Sequence, residues 1–188
     1  EDSVELQESM ENKHNWAFTA QGSELPGCAY RHPANPEAVC PFPCEGAHDG
    51  RALCWVHLAA AKGETLEFDE AASAVLRSRI TAGVLKCVPE WRVSGLNLES
   101  VTAENFEILT SSMIATNFSW AVLGGLQVGY SDLGASVFSF SRGCNSRFFR
   151  STLIAANFTS SAFTCARFSD CKLCEAVLRR SSFQFASF

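Results

Sequence analysis

Five residues between Gly27 and His57 are of types that bind metal: Cys28, Cys40, Cys44, Cys54 and His57. Two of their spacings are tight, Cys40-x3-Cys44 and Cys54-x2-His57, and Pro26, Pro33, Pro36, Pro41 and Pro43 interrupt the surrounding chain. A tetrahedral zinc site takes four Cys or His ligands, commonly as two close pairs separated by a loop. Cys40, Cys44, Cys54 and His57 meet that description, and Cys28 is a fifth candidate able to replace Cys40 or Cys44. Four protein ligands leave no coordination position for water or substrate, so the expected role of Zn2+ is structural. A Pro-rich segment with little core also needs such a staple to hold a shape. A disulfide pair, or buried thiols, is the alternative for the same residues. His32 and His48 read as surface residues, and His14 falls in an acidic N-terminal stretch.

No catalytic set accompanies this cluster. The sequence holds no glycine-rich phosphate loop, no paired catalytic carboxylates and no Ser/His/Asp arrangement with supporting context. The expectation is a protein without enzymatic activity. No run of about 18 apolar residues is present, which excludes a membrane-spanning helix. Hydrophobic content of 47% with 19% charged residues excludes wholesale disorder.

The element that must carry these residues is visible as a period. Counting back from Phe188 in steps of five gives Phe183, Leu178, Leu173, Phe168, Phe163, Phe158, Leu153 and Phe148. Beyond Gly143 the series continues through Phe138, Leu133, Val128, Leu123, Phe118, Met113, Ile108, Ala103 and Leu98 to Val93. Two residues before each centre, from Ser111 to Ala186, stands Ser, Thr, Ala or Cys, with Leu126 the one intruder. A period of five fits neither a helix nor a simple strand.

Stretches such as Ala156-Asn157-Phe158-Thr159-Ser160 and Ala166-Arg167-Phe168-Ser169-Asp170 resemble the A(D/N)LXX motif of pentapeptide-repeat proteins. That resemblance covers roughly half the chain. It implies a mainly β fold, a right-handed quadrilateral β-helix in which four pentapeptides make one square coil. Centres and small residues then point inward, and residues twenty apart stack at about 4.8 Å. Phe118, Phe138 and Phe158 should form one internal ladder, and Phe148, Phe168 and Phe188 another. Gly143 predicts a hole, with an irregular corner around Ser141–Ser146. The segment ending Leu53-Cys54-Trp55-Val56-His57 also resembles zinc-knuckle modules that precede the repeats in some bacterial pentapeptide proteins.

The expected organisation is an acidic flexible tail (1–24), a Cys/His module (25–65), a capping helix (66–90) and the β-helix (91–188). The helix is read over Asp69 to about Lys86, with Asp69 as N-cap and Ala72, Val75, Leu76, Ile80, Val84 and Leu85 along one side. It would close the open lower end of the solenoid, which otherwise exposes unpaired backbone, or alternatively pack only on the front module. The upper end carries no such plug, so either the natural chain continues or two copies meet end to end.

Function should then reside on the outward walls. Trp120 and Phe140 fall twenty apart and stack on one wall, Tyr130 and Arg150 on another, and Arg147 and Arg167 align as a basic strip. Exposed neighbouring aromatics mark interfaces. The expectation is a scaffold that binds a protein partner, with a structural, end-joined homodimer as the alternative. A third reading follows from family members that mimic duplex DNA and act on gyrase. It requires a strongly acidic column, whereas residues 94–188 hold 7 Lys/Arg against 6 Asp/Glu, net +1. Residues 1–93, with 8 against 14, carry the chain's acidity, so nucleic acid is not the expected partner. Thiol content points to the cytoplasm. The sequons at Asn117 and Asn157 follow from the repeat itself and imply no glycosylation.

Overall fold

The computed structural model describes residues 31–32, 35–39, 46–49 and 51–188. The tail expected over 1–24 lies outside them. In the repeat, every fifth residue from Glu90 to Phe185 has a positive φ, between 47° and 65°. This left-handed residue turns the chain at each corner, and only two of the twenty, Gly95 and Gly125, are glycines. A side chain in that region costs roughly 1–2 kcal/mol per residue, so something at each corner must hold it there. The holding force is a ladder of backbone hydrogen bonds between coils. The corner amide of Trp120 donates to the Ser139 carbonyl (3.0 Å), the central amide of Phe118 to Val137 (2.7 Å), and the amide of Asn117 back to Leu96 (2.9 Å).

The ladder makes a parallel β-solenoid, the mainly β fold anticipated from the repeat. On one wall β6 (Cys87–Pro89), β9 (Glu107–Leu109), β12 (Gln127–Gly129), β13 (Arg147–Phe149) and β14 (Arg167–Ser169) form a continuous five-stranded sheet with partners twenty residues apart. The next wall starts with β7 (Arg92–Ser94) and β10 (Ser112–Ile114), and the fourth with β8 (Thr102–Glu104) and β11 (Val122–Gly124). Higher coils continue these walls as single bridges at the same spacing. The third wall consists of such bridges, running Asn97↔Asn117, Asn117↔Val137, Val137↔Asn157 and Asn157↔Val177.

The small inward residues have a polar task. After a tight corner the next amide closes a turn, as Ala121 does on Phe118 (3.2 Å). After a strand of the five-stranded wall that bond is absent, and a serine in the coil above accepts instead. Trp91 N–H bonds Ser111 Oγ, Ser111 N–H bonds Ser131 Oγ and Ser131 N–H bonds Ser151 Oγ, at 3.0–3.2 Å. Each of these hydroxyls donates in turn to carbonyls beside or below it. Serine is therefore chosen for its hydroxyl as well as its size, because a buried amide left unbonded costs about 1–3 kcal/mol.

Both expected phenylalanine ladders form. Phe118, Phe138 and Phe158 stack at 4.9 and 4.7 Å, and Phe148, Phe168 and Phe188 at 4.7 and 5.0 Å, all with nearly parallel planes. The expected irregularity at Gly143 does not. The rungs Val122↔Arg142 and Arg142↔Ala162 keep register through it. The space is filled from the coil above, because the Phe163 ring occupies the place where a Gly143 side chain would begin. Phe163 also packs edge-on against Phe138 and Phe158.

Below the first full coil, β5 (Leu66–Glu67) pairs with β7 in parallel. Helix α2 (Glu70–Thr81) follows, with Asp69 as N-cap accepting from Ala72 N (2.7 Å). It ends five residues sooner than the apolar pattern suggests. Gly83 adopts φ 69°, and Gly83 N–H to Ile80 O with Val84 N–H to Arg79 O closes the helix in a Schellman turn. Val84 is consequently exposed, while Leu85 is buried from the loop. The helix contributes Ser73 Oγ, which accepts Asn97 N–H (3.1 Å), and Thr81 Oγ1, which accepts Thr102 N–H (3.4 Å). One coil higher, the matching amides of Asn117 and Val122 bond backbone carbonyls of the coil beneath them. Glu70, held by Arg77 Nη2 and Asn97 Nδ2, fastens the helix to the same corner. Those two hydrogen bonds, Arg77 first, depress the Glu70 carboxyl below its ordinary range.

Ahead of this, β1 (Arg31–His32) with β2 (Asn35–Val39) and β3 (Gly46–His48) with β4 (Arg51–Leu53) form two antiparallel pairs, followed by helix α1 (Trp55–Lys62). The sequence pattern assigns this region no helix.

Restoring a large apolar centre at Gly143 should harm the fold. Gly143→Leu is expected to lose about 1–3 kcal/mol by overpacking, and Phe163→Leu in the same chain to recover part of it. Urea unfolding of the two single variants and the double variant measures this, and a neutral Gly143→Leu would contradict the shared-space account.

Candidate functional site

The corner between the third and fourth walls carries the aromatic pair. Trp120 and Phe140 stack with centroids 4.4 Å apart and planes 7° from parallel, and they remain 58% and 45% exposed. Both occupy left-handed corner positions, at φ 60° and 58°. Ser100 and Ser160 occupy the same corner below and above them. Exposed Val122 and Arg142, paired as one rung, adjoin them on the fourth wall. A bulky aromatic at positive φ is an outlier, and stacking returns only about 0.5–1.5 kcal/mol.

The five-stranded wall carries the second expected group. Arg150 sits 5.7 Å from the Tyr130 ring centre, bonds its hydroxyl from Nη1 (3.3 Å) and lies 3.7 Å from Asp170 Oδ2. Phe149 packs edge-on to Tyr130 at 5.0 Å and lies across Gly129, in the space a Cβ there would need. Arg147 and Arg167 are register partners on adjacent strands, and both are exposed. Neither has an ion-pair partner among the described residues.

Of the five candidate metal ligands, Cys28, Cys40 and Cys44 lie outside the described residues. Cys54 and His57 are described, and the structure brings them together. Cys54 is the N-cap of α1, and His57, three residues on, shares its face of the helix. Both are buried. His57 Nε2 lies 3.0 Å from the Pro89 carbonyl, an acceptor only, so Nε2 carries the proton. The Nδ1 lone pair is thereby turned toward Cys54 Sγ, 3.3 Å away. A histidine ligand with its second nitrogen anchored to a carbonyl is the arrangement metal sites use. Among the described residues no group of three or more such side chains converges. Pro89, the anchor, has no signature in the sequence because its contribution is a main-chain carbonyl.

Cysteines in the repeat divide by register. Cys171 and Cys174 make a Cys-x-x-Cys spacing, yet they take alternate sides of the wall. Cys171 stands at the small inward position and is half-buried, its thiol pushed up mainly by burial. Cys174 faces outward and is exposed. A spacing that forms a redox pair at a helix start cannot do so across an extended wall. Burial, and then the Glu107 carboxylate, push the Cys87 thiol up to about 12. With iodoacetamide at mildly alkaline pH, Cys144, Cys165 and Cys174 are expected to alkylate while Cys87 remains unmodified, since only the thiolate reacts. Peptide mass mapping of the native protein reads this directly.

The family description "Pentapeptide repeats" matches in eight copies over residues 145–180 and 161–188. No curated protein matches the chain. Among solved structures it resembles a pentapeptide repeat protein, Rfr23, from the cyanobacterium Cyanothece 51142, at 15% identity and TM-score 0.48, over 50% of this chain and 64% of that one. It also resembles QnrB1, a plasmid-mediated fluoroquinolone resistance protein, at 12% identity and TM-score 0.37, over 53% and 64% of the two chains. A third, HetL, involved in heterocyst differentiation regulation in Nostoc sp. strain PCC 7120, matches at 14% identity and TM-score 0.20, over 52% and 54%. The chain thus spans less than two thirds of each of these structures. With pentapeptide repeats matched from 145 to 188 and the same register carried down one parallel ladder to Val93, the fold is a parallel β-solenoid built of pentapeptide repeats.

Proposed function

We propose that this chain is a non-catalytic binding scaffold that presents the Trp120–Phe140 corner to a protein partner. The observation that carries the reading is the double cost of that pair: two large aromatics held both in water and at positive φ. The ladder imposes the left-handed conformation on every corner, so what distinguishes these two is the choice of a large exposed aromatic there. Most other corner positions carry smaller or polar residues such as Ser100, Asn105, Ala115 and Ser160. Aromatic residues are also what protein interfaces favour at their centres. The DNA-mimic alternative lacks support in the charge of the column, net +1 over residues 94–188.

The reading makes opposite demands on stability and binding. Trp120→Asn/Phe140→Asn places residues suited to the left-handed corner and should change unfolding free energy by less than about 1 kcal/mol. The same variant should lose a partner that the wild-type protein captures from lysate of its source. Loss of stability by several kcal/mol, or unchanged capture, would assign the pair to folding and remove the proposal.

Zinc is proposed as the staple of the front module, held by Cys54 and His57 with two of Cys28, Cys40 and Cys44. The thiol and the oriented imidazole are a fitting pair of donors, and a bound ion would supply structural cross-linking. The Pro89 anchor would tie that staple to the first strand of the five-stranded wall. Protein purified without chelator is expected to carry zinc, and Cys54→Ser/His57→Ala to lose both the metal and thermal stability. A metal-free sample with unchanged melting would overturn this. A reducing compartment, the cytoplasm, suits such ligands.

A further inference from the structure

Charge is sorted along the column. Residues 94–141 contain no Lys or Arg and four acidic residues, whereas residues 142–188 contain seven Lys/Arg and two acidic residues. The lower part is therefore at −4 and the upper part at +5. On the five-stranded wall this sorting becomes a row. The outward residue preceding each centre is Glu107 on β9, Gln127 on β12, Arg147 on β13 and Arg167 on β14, register partners in succession. Like charges directly opposite on neighbouring strands are destabilising, yet Arg147 and Arg167 sit so without a carboxylate among the described residues.

We propose that this wall is the interface of an antiparallel, side-by-side homodimer. A two-fold axis lying in the plane of the wall and perpendicular to the column keeps each lateral row facing itself while reversing its direction. With the axis midway between β12 and β13, Glu107 faces Arg167 of the second copy and Gln127 faces Arg147, each pair occurring twice by symmetry. The corner row obeys the same operation: Tyr130 meets Arg150, the pairing already made within one chain. The middle row supplies the apolar centre, half-buried Leu109 and Phe149, with the Phe149 ring lying across Gly129 of its own chain. An apolar strip flanked by charges that complement themselves on reversal is what an isologous interface requires. The surrounding charge favours the same arrangement, since each acidic lower half then lies beside a cationic upper half.

The wall is small. Four rungs at about 4.8 Å give a height of about 20 Å, short of the roughly 800 Å² per partner of a stable complex. The dimer should therefore be weak, concentration-dependent and sensitive to salt. The inference concerns a different wall from the Trp120 corner and stands or falls apart from it.

Sedimentation equilibrium of the full chain over a range of concentrations tests it, at low and at high salt. A reversible dimer is expected at low salt, with its dissociation constant raised about tenfold or more at high salt as the charge pairs are screened. Glu107→Arg alone and Arg167→Glu alone each bring like charges together and should leave monomer. The double variant Glu107→Arg/Arg167→Glu restores opposite charges and should restore the dimer. Far-UV circular dichroism checks that each variant keeps its fold. A monomer at all concentrations overturns the proposal, as when the acidic segment 1–24 covers the arginines within its own chain. So does a dimer that survives the single variants, one that the double variant fails to rescue, or one abolished instead by Phe188→Ser, which would place the contact at the upper end.

Discussion

The structure depends on one constraint: a left-handed residue every fifth position, locked by hydrogen bonds to the coils above and below. Neither half of that statement is stable alone. The corners are unfavourable for eighteen non-glycine side chains, and the ladder cannot form unless each corner turns by the same amount. Once both are present, every residue acquires a fixed neighbour twenty positions away. Core stacking, the serine hydroxyl relay and the rows of side chains on the walls all follow from that spacing.

Much of this is legible in the sequence because the period is written in the residues that point inward. Phe118, Phe138 and Phe158 announce their own stack by position. What the sequence hides is what depends on a neighbour from another coil. Gly143 reads as a defect until Phe163 is seen occupying its space. The serines read as merely small until the missing turn bond after the strands of the five-stranded wall is counted. Helix α2 is overextended by its pattern because Val84 and Leu85 keep the apolar spacing past Gly83, and periodicity does not register a residue that turns left-handed. Cys171 and Cys174 show the converse, a familiar spacing cancelled by a backbone that alternates faces. The candidate site is legible to the same degree: the walls' rows are predictable, whereas the tie between His57 and Pro89 runs through a carbonyl that no residue type signals.

The two ends of the described molecule differ in how their backbone is satisfied. At the lower edge, amides that would bond a further coil find Ser73 and Thr81 on α2. The front segment reaches the same edge through His57 and Pro89, so the segment with candidate metal ligands and the first strand of the five-stranded wall share a hydrogen bond. Any change in how that segment is held is thereby transmitted to the start of the ladder. The walls above are insulated from it, because each rung touches only the rungs next to it.

That nearest-neighbour construction gives the column an unusual mechanical character. Its inter-coil hydrogen bonds run along the column axis, so a pull on the two ends loads them in tension, one coil at a time, instead of shearing many at once. Each released coil would yield about twenty residues, or about 70 Å of extended chain, while the remaining coils kept their stacked phenylalanines and their register. The molecule is in that sense a stepwise extensible spring, whose shortest unit of give is a single square turn.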